Sequence, residues 1–235
     1  MYKLLFLLLG ITAAFAQETK IESHQLSETE IDTIFSAEVK SKYDIDFEVY
    51  RGYRYDDQAG SHFILMTENN IPKGSDRFRK GHLKVYNDSI KTYFFECKEE
   101  QLKLKRTLTD FIINREFLPE YSIAHWTKFF ELDDYDGNGS IDPILVYGTY
   151  GMNGASDGRI KIIILQNNQK IAIRHQNGVL DGERYTQVDA AFYELPKAIQ
   201  QQVVKQMNAI MENDSGIFPS GWQEQMKAKK LRLAE

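Results

Sequence analysis

Apolar residues in this chain come first as an unbroken run, then at helical spacing, then at alternate positions, and at helical spacing again near the end. "SETE" at Ser27–Glu30 is a capping box, and Ile31, Ile34, Phe35 and Val39 after it predict a helix from about Glu28 to Lys40. The period then changes to two. Phe47, Val49, Tyr53 and Tyr55 alternate with polar residues, "DDQAG" makes a turn, and "SHFILMTEN" returns as a more buried strand, so a hairpin is expected. "HLKVY" and "IKTYFFEC" read as strands on either side of a turn at Asn87–Asp88. "LKLKRTLTDF" places Leu102, Leu104 and Leu108 on one face, and "HWTKFFEL" groups Trp126, Phe130 and Leu132. "IDPILVYGTY", "RIKIIIL" and "KIAIRH" complete the strands, with a tight turn at Gln166–Gln169. Leu195, Ile199, Val203, Met207 and Ile210 then recur every three or four residues, predicting a helix from about Leu195 to Glu212 with Pro196 in its first turn. A loop and a short helix over "IFPSGWQEQMKAKK" follow, and the basic "KAKKLR" reads as a solvated helix end. Short links favour antiparallel pairing. The expected fold is α+β: a curved, mostly antiparallel sheet with a helix near each end of the chain.

The opening run changes the picture of where this chain works. "MYKLLFLLLG" has one early charge, Lys3, then an apolar stretch ending in "AAFAQ", with Ala14 and Ala16 at the spacing signal peptidase prefers. Residues 1–16 therefore read as a secretory signal peptide, too short to span a bilayer, with Gln17 as the first mature residue. A buried N-terminal helix is the competing interpretation. No Cys follows the cleavage point to carry a lipid, and no other stretch is long and apolar enough for an anchor. The expectation is an exported mature chain, 17–235, forming one domain in the periplasm or at the cell surface. With 29 basic against 34 acidic residues and no basic patch, a nucleic-acid partner is not expected. Cys97 stands alone, so no internal disulfide is available, and "YFFEC" suggests a buried thiol on the face of Tyr93 and Phe95.

Candidate chemistry concentrates in "DDYDGNGSIDPILVY", Asp133–Tyr147. Counting from Asp134, oxygen side chains fall at positions one, three, five and nine: Asp134, Asp136, Asn138 and Asp142. Gly139 stands sixth, Ser140 seventh with a carbonyl to offer, and the apolar Ile141 eighth. Calcium takes six to eight hard oxygen ligands, and an EF-hand loop supplies them at these positions. The twelfth position breaks the match, because Leu145 stands where a bidentate Glu belongs, and strand-like residues flank the loop. The pattern resembles the strand-flanked calcium loops of FG-GAP repeats, D-x-D-x-N-G-x-x-D running into a strand. A calcium-loop-like hairpin over 133–166 is expected, with Asp134, Asp136, Asn138, Ser140 and Asp142 as ligands. The alternative is an Asx-rich turn without a metal.

Other stretches carry less. "YGTYGMNGASDGRIK" is glycine-rich but lies between strands and lacks a phosphate loop's Lys and Ser or Thr, so it reads as a hairpin whose tip, Met152–Asp157, is exposed. "AIRHQNGVLDGERYTQVD" brings His175, Asp181, Glu183 and Asp189 close in sequence, the residue types of acid–base catalysis; solvated or ion-paired charges are the alternative. The five His make no metal-protease pair. The tripeptides Asp32–Ile34 and Asp88–Ile90 match an O-glycosylation acceptor pattern, and Ser89, in the expected turn, is the acceptor it would use.

The run from Asp134 to Gly178, the hairpin "YRGYRYDDQAGSHFILMTEN" and "GHLKVYNDSIKTYFFE" together resemble a family of small exported bacterial proteins catalogued with surface polysaccharide biosynthesis. The resemblance spans most of the mature chain. It implies an envelope location and a surface glycan or its biosynthetic machinery as partner, with no catalytic residues to carry over. Two functions are expected. One is a calcium-stabilised, non-catalytic accessory or binding module that presents Tyr150, Asn153 and Asp157 to a polar ligand. The other is an envelope hydrolase or transferase using the carboxylates of Asp181–Asp189.

Overall fold

The computed structural model describes residues 21–70, 86–113, 119–151 and 153–235. The first sheet is a meander of β1 (Glu22–Gln25), β2 (Glu48–Asp57), β3 (Gly60–Asn70), β4 (Asn87–Lys98) and β5 (Gln101–Phe111), adjacent in that order. The second is a meander of β6 (Ser122–His125), β7 (Ile144–Tyr150), β8 (Arg159–Gln166), β9 (Gln169–Gln176), β10 (Tyr185–Val188) and β11 (Arg232–Ala234). All of these pairings are antiparallel. Two short helices, α1 (Glu28–Ile34) and α2 (Ala37–Lys42), follow β1, while α3 (Lys197–Glu212) and α4 (Trp222–Lys227) precede β11.

The two-residue period of the strands sorts their side chains into three cores. In β3, Ile64 and Met66 join Leu145, Tyr147, Ile163 and Ala172 of the second sheet, so the sheets pack face to face. Phe63 and Leu65, one residue out of phase, meet Ile31 and Phe35 beneath α1. In β8, Ile160, Ile162 and Ile164 pack against Ile199, Val203, Met207 and Ile210 of α3. The order is helices, sheet, sheet, helices. Strands covered on both faces need apolar residues at consecutive positions, which accounts for "FILM" in β3 and "IIIL" in β8.

The α+β, mainly antiparallel expectation holds, but the strands divide between two sheets. Several local expectations are corrected. The helix over Glu28–Lys40 is two helices, because Ser36 Oγ accepts the N–H of Val39 at 3.4 Å and caps a new one. Asn87–Asp88 is no turn: Asn87 is buried in β4, its side chain donating to Glu68 Oε2 at 2.7 Å and to the carbonyl of Ile123 at 3.2 Å. Ser89 is thus a half-buried strand residue bonded to Asp88 Oδ1. "HLKVY" lies outside the described residues except Tyr86.

In β5, Phe94 pairs with Arg106 and Phe95 with Leu104, so Lys105 is an extra residue in a bulge. Leu102 and Leu104 therefore face the helical side while Leu108 faces the other sheet. Trp126 packs toward α3, apart from Phe130 and Leu132, because a 3₁₀ turn at Thr127–Phe129 breaks the strand. The basic C-terminal segment ends in a strand, not a helix: Leu233 is fully buried where β11 pairs with β10. Cys97 is half-buried against the α1 core and unpaired.

Candidate metal centre

Residues 133–142 connect a bridge between Glu131 and Ile144 to the start of β7. Gly137 and Gly139 adopt positive φ, 73° and 84°, letting the chain fold its acidic side chains back on its own amides. Asp134 accepts the N–H of Asn138 at 3.0 Å and of Gly139 at 2.7 Å, and Asp136 accepts Asn138 N–H at 3.1 Å. Carboxylate oxygens of Asp134, Asp136 and Asp142 converge to within 4.8 Å of one another.

Asp142 is the unusual member. It is 2% exposed, and its Oδ2 is buried with no hydrogen-bond partner. Burial first, and then the negative charges of Asp136 and Asp134, push its carboxyl up to about 7. A buried carboxylate beside two others costs free energy unless a counter-charge is near. A hard dication with oxygen ligands answers that cost, and the donor set fits calcium or magnesium better than a thiol- or imidazole-seeking metal.

Of the five ligands read from sequence, the structure gathers the three Asp. Asn138 Oδ1 accepts the N–H of Ser140 at 2.8 Å, and Ser140 Oγ accepts a hydrogen bond from Gln58 Nε2 at 3.1 Å, so these side chains help hold the loop's shape; the ligand expected of Ser140 is its carbonyl. Leu145 at the twelfth position is 1% exposed between the sheets, so that position belongs to the core.

Two residues that sequence reasoning missed anchor the loop from the first sheet. The Gln58 amide N–H donates to the carbonyl of Gly139 at 2.9 Å, and its side chain to the carbonyl of Asn138 at 2.8 Å. Asp57, 6% exposed, accepts the N–H of Ile141 at 3.1 Å, the N–H of Ala59 at 2.8 Å, and lies 3.1 Å from His62 Nε2. Both stand at the β2–β3 turn, more than 80 residues upstream, and nothing local distinguishes them from ordinary turn residues.

The sequence-predicted catalytic residues do not form a shared centre. His175 is 2% exposed, bonded to Thr186 Oγ1 at 2.9 Å and packed on Phe218; burial pushes its imidazole down to about 4, which keeps it neutral. Asp181 is exposed and pairs with Arg184 at 2.7 Å, Glu183 accepts the N–H of Leu180, and Asp189 pairs with Arg174 at 2.6 Å. A different array does place a carboxylate, an imidazole and a hydroxyl in line. Glu68 Oε1 lies 3.3 Å from His125 Nδ1, and His125 Nε2 lies 3.0 Å from Thr92 Oγ1. Thr92 is 2% exposed and the His125 side chain 1%, so the array ties the sheets together out of reach of a substrate.

The tip after β7 also differs from expectation. Asp157 is buried and turned inward, accepting the N–H of Asn153 at 2.9 Å and its Nδ2 at 3.1 Å, with Gly151 against it; a Cβ there would lie 2.3 Å from Asp157 Oδ1. Tyr150 packs half-buried toward the α3 core, Asn153 is exposed, and Met152 lies outside the described residues. The three residues thus make no common ligand-facing surface. Among the described residues no helix is long and apolar enough to cross a membrane. Comparisons of the chain with family models, with curated proteins and with solved structures return no match.

Proposed function

We propose that this chain is an exported protein of the periplasm or cell surface, acting as a calcium-stabilised, non-catalytic accessory or binding module linked to surface polysaccharide. The observation that carries the calcium part is Asp142: a buried carboxylate with an unpartnered oxygen, converging with Asp134 and Asp136. Calcium there would offset two of the three negative charges and fix a loop already bonded to the β2–β3 turn, stiffening one end of the junction between the sheets. Support for the envelope part is the leader-like run at 1–16, which lies outside the described residues, and the resemblance carried by Asp134–Gly178. The individual pairing of His175, Asp181, Glu183 and Asp189 supports binding over catalysis at that segment.

Calorimetry with calcium, magnesium and chelator tests the metal. The missing twelfth-position ligand sets the expected Kd at roughly 10⁻⁴ to 10⁻³ M. Absence of calcium binding to the folded protein at millimolar concentration overturns the reading. For the cellular role, Asp136→Ala in a deletion strain should reproduce the loss of surface polysaccharide; normal polysaccharide in that strain overturns the link between cation and function.

A further inference from the structure

The two sheets part at the end where the cation loop sits, leaving an open cleft of about 280 Å³. Its walls include β3 with His62, β4 with Glu96, the β5 bulge with Lys105 and Arg106, the β8–β9 turn with Asn167 and Asn168, and the cation loop with Ser140 and Ile141. We propose that this cleft binds a small hydroxylated carboxylate, a sugar acid, with Arg106 holding the carboxylate beside Ser140 and Asn168.

Charge is the first argument. Lys98 and Lys105 share one carboxylate, Glu96, at 2.6 and 3.1 Å. Arg106 donates through Nη2 to the carbonyl of Asn168 at 2.6 Å and has no carboxylate within 4 Å among the described residues. Asp57 at this corner is engaged by His62, Ala59 and Ile141, and Asp134, Asp136 and Asp142 belong to the neighbouring cation loop, whose charge the bound cation would offset. Among the charged side chains lining the cleft, Lys105 and Arg106 thus meet one carboxylate, Glu96, in a chain whose net charge is −5. The remaining guanidinium N–H groups suit a planar carboxylate, which an arginine fork can bind with two parallel bonds.

The other walls suit hydroxyls. Asn167 and Asn168, held at φ of 49° and 60°, are exposed at the tip of their turn. Ser140 Oγ accepts from Gln58 and keeps its own proton to donate. Tyr55, stacked on His62 at 4.7 Å, and Leu165 give an apolar floor of the kind a sugar ring's C–H face covers. The volume lies at the small end for ligand sites, so one sugar residue or a chain end fits better than a long polymer segment.

The cleft and the cation loop share parts. Ser140 and Ile141 belong to both, and Asp57 holds Ile141 on one side and His62 on the other. Cation and acid should therefore each tighten the other's binding, by the same factor in either direction, on the order of fivefold or more. This site deepens the binding-module reading and rests on it.

Sodium glucuronate and glucose serve as probes, followed by ligand-observed NMR or calorimetry on the wild type, Arg106→Gln and Arg106→Lys, with calcium and with chelator. Glucuronate should bind at least tenfold more tightly than glucose. Arg106→Gln should lose at least tenfold for glucuronate while its calcium titration stays unchanged, and Arg106→Lys should recover part of the loss. Glucuronate binding no tighter than glucose, or equal in wild type and Arg106→Gln, overturns the cleft assignment. The calcium titration of the same samples separates the two ideas. Calcium binding without glucuronate binding removes the cleft alone, and glucuronate binding without calcium binding removes the loop reading alone.

Discussion

The carboxylate of Asp57, at the end of β2 in the first sheet, accepts the backbone N–H of Ile141, one residue before the buried Asp142 of the second, at 3.1 Å. The bond joins the two sheets at the acidic loop and orients the segment that carries Asp142. Asp57→Ala would leave a buried N–H without a partner, at a cost of about 1 to 3 kcal/mol. Calcium affinity should fall as well, since the loop loses its anchor. Denaturant unfolding and calcium calorimetry on this variant check both; unchanged values in the two assays would refute the coupling.

Asp142→Asn should change stability by different amounts with and without calcium. In chelator near neutral pH the substitution removes a buried, unpartnered charge, so the variant should be more stable than wild type by about 1 to 3 kcal/mol. In calcium the difference should shrink, because the wild type at ten times Kd gains about 1.4 kcal/mol from binding and the variant does not. Melting curves of both proteins in both buffers read this narrowing directly; a gap of the same size in both would count against calcium at Asp142.

His175 makes stability fall in mild acid. Its folded-state value near 4 lies below the ordinary histidine value of about 6.5, so the unfolded chain binds the proton more readily. This contribution is fully present above about pH 6.5 and is lost as pH drops toward 4, amounting to about 2 kcal/mol by about pH 5. Unfolding free energies of the wild type and His175→Gln across this window should converge as pH falls, whatever the variant costs at neutral pH.

Asp181→Ala and Glu183→Ala should change stability by less than about 1 kcal/mol, since the first is exposed and the second only caps Leu180. Each should also restore surface polysaccharide fully in a deletion strain. A folded variant that fails to restore it would move the hydrolase or transferase reading ahead.

Mass spectrometry of the protein from its native host should find a major form beginning at Gln17, given Ala14 and Ala16 before it. Retention of Met1 in the major form would contradict export through this leader.

Much of the local structure was legible because its causes are local. The Ser27–Glu30 capping box forms, with Ser27 N–H bonded to Glu30 Oε2 at 2.8 Å, and the alternation in β2 and the three-and-four spacing in α3 mark their elements. The acidic loop was legible for the same reason: glycines at the fourth and sixth positions permit the turn, and Asp side chains close in sequence converge. What only the tertiary structure decided involves residues far apart in the chain. Periodicity marks which face of a strand is buried but not what covers it, so one sheet and two sheets wrote the same pattern until Ile64 met Leu145 across the interface. The bulge at Lys105, which turned Leu108 to the opposite face from Leu104, follows from how β5 registers against β4. The same holds for function. His175, Asp181, Glu183 and Asp189 are neighbours in sequence, yet strand alternation and separate partners disperse them, while Asp57 and Gln58 reach the acidic loop only because two sheets stack. Short-range geometry is set by backbone dihedrals that the sequence encodes directly; long-range contacts depend on which surfaces find each other once the cores form.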